Sequence, residues 1–135
     1  MKTPAIIGTL AATAAFATTG CAMDFQTYTF KTKGGKEVVV TAIKHASLRI
    51  QYDGLRIYIA GDTEDIPEMS ALKDIDVAFL PCNQPYTMTP EQVAKAARTI
   101  KPKVLFPYHY SQTPIKQVAD LLTGSGIDVR IRNYQ

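Results

Sequence analysis

Hydrophobic and polar positions change period several times along this chain of 135 residues. The run Glu37-Val38-Val39-Val40-Thr41-Ala42-Ile43 is rich in β-branched residues and predicts a strand. Residues 46–52 alternate, with Leu48, Ile50 and Tyr52 on one face. Asp53-Gly54 follows, a two-residue hairpin turn in which both positions take positive φ. Leu55 to Ala60 is the return strand, with Leu55, Ile57 and Ile59 on one face. Pro67 to Lys73 predicts a short helix. The continuous apolar run Val77-Ala78-Phe79-Leu80 predicts a strand buried on both faces. Thr89-Pro90-Glu91-Gln92 is a helix start, with Thr as N-cap, Pro at the first helical position and Gln at the third. That helix should run to about Ile100 on an apolar stripe of Val93, Ala96, Ala97 and Ile100. Lys103 to Phe106 is the next buried strand. Thr113-Pro114 opens a second helix lined by Val118, Leu121 and Leu122, which Gly124 or Gly126 ends. Asp128 to Arg132 is a last strand, with Val129 and Ile131 facing in. An N-terminal β-hairpin followed by alternating strands and helices is an α/β pattern with right-handed crossovers.

The front of the chain has a different character. Lys2 is its lone charge, and an apolar, Ala-rich run follows from Ala5 to Ala17. Thr18-Thr19-Gly20-Cys21 then places small residues before a cysteine, like a bacterial lipobox. Residues 1–21 therefore read as an export signal with Cys21 as the lipidation site. An ordinary signal cut near Ala22 is the alternative. The run is too short and too weakly apolar to be a membrane span. The expected location is the bacterial cell envelope, with the protein exported or held on the membrane by its lipid. Residues 22–36 are polar, end in the turn signal Lys33-Gly34-Gly35-Lys36, and read as a linker. This leaves 37–135 as one domain.

Composition removes some classes of function. The net charge is only +3, and neither a dense basic stripe nor an aromatic platform is present, so nucleic acid is not an expected partner. Two cysteines, one of them Cys21, make no disulfide framework. Cys82 reads as a small buried residue after a core strand rather than a reactive thiol.

Two strand ends carry the candidate chemistry. Leu55 to Ala60 runs into Gly61 and then presents Asp62. Val104-Leu105-Phe106-Pro107-Tyr108 presents His109. Ligands and metals collect at the carboxyl ends of strands in α/β sheets, and Asp and His are oxygen and nitrogen donors suited to zinc. The chain has only two histidines, at 45 and 109. Glu64, Asp65 and Glu68 form an acidic cluster that reads as solvated surface, with auxiliary metal contact as the other use. Residues 83–88 read as a loop beside the cleft.

Three segments, Lys44-His45-Ala46-Ser47-Leu48, Ala60-Gly61-Asp62-Thr63-Glu64 and Pro107-Tyr108-His109-Tyr110, resemble the metallo-β-lactamase-fold hydrolases. The likeness is to the branch of ascorbate-6-phosphate lactonase-like and zinc-dependent hydrolases, and it runs from about Glu37 to the C-terminus. It implies a truncated αββα fold and a metal cofactor, zinc or manganese. It also implies hydrolysis of a small-molecule ester, lactone or phosphoester by a metal-bound hydroxide. Asp62 would bridge two metals and His109 would close the second metal site. His45 would be structural or would support a ligand from behind. Thr63 would brace the turn and Tyr108 would pack beside it. The family's His-x-His-x-Asp-His signature is absent. The chain resembles a family member without a large internal segment, joined near Tyr52-Asp53-Gly54-Leu55. The alternative function is a non-catalytic, membrane-anchored remnant or binding module. A sheet face carrying Ile57, Ile59, Val77, Phe79 and Leu105 would then lack part of its cover, which predicts a homodimer or marginal stability.

Overall fold

A computed structural model describes residues 24–134. The segment read from sequence as an export signal, with Cys21, lies outside these described residues.

Seven strands form one sheet in sequential order: β1 (Thr27–Lys31), β2 (Glu37–Ala42), β3 (Leu48–Tyr52), β4 (Leu55–Ile59), β5 (Val77–Pro81), β6 (Val104–Tyr108) and β7 (Asp128–Val129). The first four make an antiparallel meander, and β4 to β7 run parallel. The parallel half needs crossovers. They are supplied by a 3-10 turn at Pro67–Ala71, by helix α1 (Pro90–Ile100) and by helix α2 (Lys116–Leu121).

Local chemistry explains the clearest boundaries. Asp53 and Gly54 have φ of 48° and 80°, the positive pair of a two-residue hairpin turn. The turn fixes the register that places Tyr52 opposite Leu55. Thr89 caps α1 in a reciprocal box. Its hydroxyl accepts from Gln92 N at 3.2 Å, and Gln92 Oε1 accepts from Thr89 N at 2.8 Å.

Four expectations need correction, the simplest being that the last strand ends at Val129 rather than Arg132. Residues 22–36 are not simply a linker, because β1 lies within them and pairs along its whole length with β2. Tyr28 and Phe30 project from that edge strand into solvent, so it carries no buried period to read. Helix α2 begins at Lys116 rather than at Thr113-Pro114, and Ile115 stands at the N-cap without a side-chain cap. Leu105 does not share a face with Ile57, Ile59, Val77 and Phe79. It pairs with Ala78, which pairs with Tyr58, on the opposite side of the sheet.

That opposite side is where the core sits. Tyr58, Ala78, Leu80 and Leu105 are fully buried there with Val93, Ala97 and Ile100 of α1, and Val118 and Leu122 beside α2. Each buried Val, Leu or Ile contributes about 1.5–3 kcal/mol by leaving water. The other face carries an unbroken apolar row across six strands. Tyr28, Val40, Ile50, Ile57, Val77 and Val104 stand in register from β1 to β6. Both helices lie on the core side, so the described residues form a two-layer sheet-and-helix unit with one open face.

Candidate metal centre

The site is built at the carboxyl ends of β4 and β6. The backbone around it is tightly specified. His45 and Ala46 both adopt left-handed conformations, with φ of 56° and 59°. For residues with a Cβ this costs about 1–2 kcal/mol each, so the surroundings must hold them there. Ile43 N donates to Ser47 O at 2.8 Å, and Ser47 N donates to Lys44 O at 3.1 Å, closing the turn. Gly61 packs directly on it. A Cβ at Gly61 would lie 2.7 Å from His45 O and 2.9 Å from Ala46 O, so only glycine fits. Gly61 N also donates to Ser47 Oγ at 3.2 Å. The Lys44–Leu48 and Ala60–Glu64 segments are thus two sides of one contact.

Thr63 is buried and locks His45 to the same turn. Its hydroxyl donates to Glu64 O at 3.0 Å. That hydroxyl also stands 3.1 Å from His45 Nδ1, a hydrogen-bond contact whose direction follows the tautomer of the ring.

Asp62 and His109 are brought together. Asp62 follows Gly61 out of β4. His109 follows β6 in a left-handed conformation, φ 50°, which turns the chain sharply at the strand end. Asp62 Oδ1 and His109 Nδ1 stand 3.4 Å apart, with side chains 78% and 49% exposed. Tyr108 reaches across the end of β5, its hydroxyl donating to Ala60 O. Burial first, and then the charge of Asp62, pushes the Tyr108 hydroxyl above its ordinary range, so it stays protonated and keeps donating. Asn83, His109, Tyr110, Ser111 and Tyr134 line a cleft of about 330 Å³ beside the pair.

Other candidates are occupied elsewhere. Asp65 binds Lys95 at 2.6 Å and Gln92 at 3.2 Å, tying its loop to α1. Glu68 is buried against Lys44 at 2.8 Å. Cys82 is fully buried, and burial pushes its thiol up to about 11, which keeps it out of nucleophilic chemistry. The contact between His45 and Thr63 had no sequence signal of its own.

The Asp62–His109 pair can be tested against a metal. Two ligands about 2.0–2.2 Å from a tetrahedral ion stand about 3.3–3.5 Å apart. The observed 3.4 Å matches that bite, and one oxygen with one nitrogen is a zinc-type donor set. The number of donors falls short. Among the described residues no group of three or more His, Cys, Asp or Glu is placed to hold an ion, whereas a catalytic zinc takes three protein ligands.

Comparisons with known proteins bear on the fold and the family. The Beta-lactamase superfamily domain matches residues 7–110, a span that also takes in part of the export-like segment. A UPF0173 metal-dependent hydrolase from Anoxybacillus flavithermus is 34% identical over 103 residues, covering 70% of this chain and 46% of the relative. Its counterpart from Symbiobacterium thermophilum is 42% identical over 89 residues, covering 62% of this chain and 38% of the relative. The chain thus spans less than half the length of these curated relatives. A solved protein from Parabacteroides distasonis, described as a metal-dependent hydrolase, is 33% identical with a TM-score of 0.59, over 83% of this chain and 100% of that one. Igni18, a metallo hydrolase from Ignicoccus hospitalis, is 26% identical with a TM-score of 0.62, over 75% of this chain and 51% of that one. The fold is shared with these solved proteins, and the chain belongs to the beta-lactamase superfamily, with the metallo-β-lactamase fold.

Proposed function

We propose that this chain takes part in metal-dependent hydrolysis of a small-molecule ester, lactone or phosphoester, with Asp62 and His109 holding a zinc or manganese ion. The observation that carries the reading is the 3.4 Å separation of their donor atoms. A divalent ion held there by Asp62 and His109 would supply Lewis acidity and would lower the pKa of a water toward neutrality. The chain's own residues set the geometry. The Gly61 contact and the His45–Thr63 bond fix the Asp62 turn. The Tyr108 hydroxyl holds the end of β6 to the end of β4. The cleft beside His109, with the amide of Asn83 and the hydroxyls of Tyr110, Ser111 and Tyr134, would receive the substrate.

The missing third donor favours a second reading, a binding module without turnover that is held on the membrane through a lipid on Cys21. One assay separates the two. The protein is supplied with zinc or manganese and offered generic esters and phosphodiesters. Metal-dependent turnover that both Asp62→Ala and His109→Ala abolish is the expected result. Metal binding without turnover selects the second reading, and equal rates in parent and variants contradict the first. The anchor is checked separately: Cys21→Ser should move the protein from the membrane fraction to the soluble one, and an unchanged distribution would remove the lipid from the account.

A further inference from the structure

The open face of the sheet is the largest feature that the site does not use. It continues on both sides of the apolar row described above. Phe30, Val38, Tyr52 and Leu55 form one flanking row, and Leu48, Ile59, Phe79 and Phe106 belong to the other. From β1 to β6 no charged side chain faces this way. Tyr28 and Phe30 are 53% and 60% exposed, and Leu55 is 43% exposed. Phe79 and Phe106 stack at 5.1 Å, and neither helix of the described residues lies over them. Positive charge appears at the margins, where Lys36 stands 5.8 Å from the Tyr52 ring and Arg132 stands 5.9 Å from the Phe106 ring. An apolar centre with a charged rim is the anatomy of a protein interface.

We infer that a second copy of this chain covers the face, sheet against sheet. Size decides between the occupants at hand. Six strands spaced about 4.8 Å, each about five residues of about 3.3 Å, make a face of about 29 by 17 Å. Two such faces bury on the order of 1,000 Å² as flat area alone, which reaches the size of a specific interface. The apolar segment 1–23 is the other candidate occupant, but any single helix is only about 10–12 Å across. One helix of that width would cover little more than a third of the face. A second copy presents the same uncharged centre, so nothing on the face repels it. Two twisted sheets then pack about 10 Å apart with their inner side chains interdigitated. This pairing goes beyond the metal reading and does not need it.

The test is sedimentation of the full chain carrying Cys21→Ser, so that no acyl group adds to association, in EDTA, across the micromolar range. The expected species has twice the 14.8 kDa mass of one chain. Phe30→Asp with Leu55→Asp places charge on the face at positions exposed in the single copy. It should weaken pairing by at least tenfold while circular dichroism stays unchanged. Leu55→Asp alone should give a smaller loss in the same direction, which guards against a double variant that misfolds. A parent that is strictly monomeric throughout would overturn the proposal. So would a dimer whose affinity neither substitution changes, because that dimer pairs through the exposed edge of β1 or through residues 1–23.

Discussion

Asp62 and His109 follow strands that are not neighbours, yet their donor atoms stand 3.4 Å apart. Strand β5 runs between β4 and β6, so the two residues must meet above its end. They can because β5 stops at Pro81 and the chain leaves through the turn that Asn83 and Thr87 close, Thr87 N donating to Asn83 O at 2.7 Å. The Tyr108 hydroxyl makes the same crossing to Ala60 O. The pair is thus a product of the parallel half of the sheet.

Gly61→Ala should be the most damaging small substitution near the site. The added carbon meets backbone atoms of His45 and Ala46, which cannot rotate away. Overpacking of this kind costs about 1–3 kcal/mol. Urea denaturation measures it, and a lower midpoint with an unchanged slope is expected. An unchanged midpoint would mean that the two segments do not touch as described.

Thr89→Ala removes the hydroxyl that accepts from Gln92 N at the start of α1. Loss of a helix N-cap costs about 0.5–2 kcal/mol. Thermal unfolding should show the decrease. Thr89→Asp, which keeps a side-chain acceptor, should recover most of it, and equal melting temperatures for all three proteins would contradict the capping box.

Acid should weaken the fold through Asp76. Its carboxylate accepts from Lys103 Nζ at 2.6 Å and from Arg56 N at 2.8 Å. The hydrogen bond from Lys103, and after it the one from the Arg56 backbone, hold the carboxyl below its ordinary range. A depressed folded value means that the contribution is present above the unfolded pKa, about 3.9, and is lost as pH falls through the folded value. Lys103 is raised by the same carboxylate, so its contribution is present below its unfolded pKa of about 10.4 and fades as pH rises through the folded value. Melting temperature against pH should therefore fall at both extremes. Asp76→Asn should flatten the acid limb, and a profile identical to the parent's would exclude Asp76 as a contributor.

What could be read from the chain followed how local each cause is. Asp53-Gly54 and Thr89-Gln92 act over two to four residues, and hairpin and helix begin where those residues stand. The strand Thr27–Lys31 is held only by pairing with β2 and has Tyr28 and Phe30 in solvent, so its alternation marks no buried face. The face of Leu105 cannot be read from sequence, because a continuous apolar run has no period to orient it. Asp62 and His109 were legible as strand-end donors, but their meeting over β5 depends on strand order. The His45–Thr63 contact joins residues 18 apart in the chain, so no local pattern marks it.

The central claim is that Asp62 and His109 together hold a metal, and a calorimetric titration of the purified chain with zinc tests it most directly. One micromolar site per chain, lost in Asp62→Ala and equally lost in His109→Ala, is the predicted result. Zinc bound with the same affinity by parent and both variants, or no heat at any zinc concentration in the micromolar range, would contradict it.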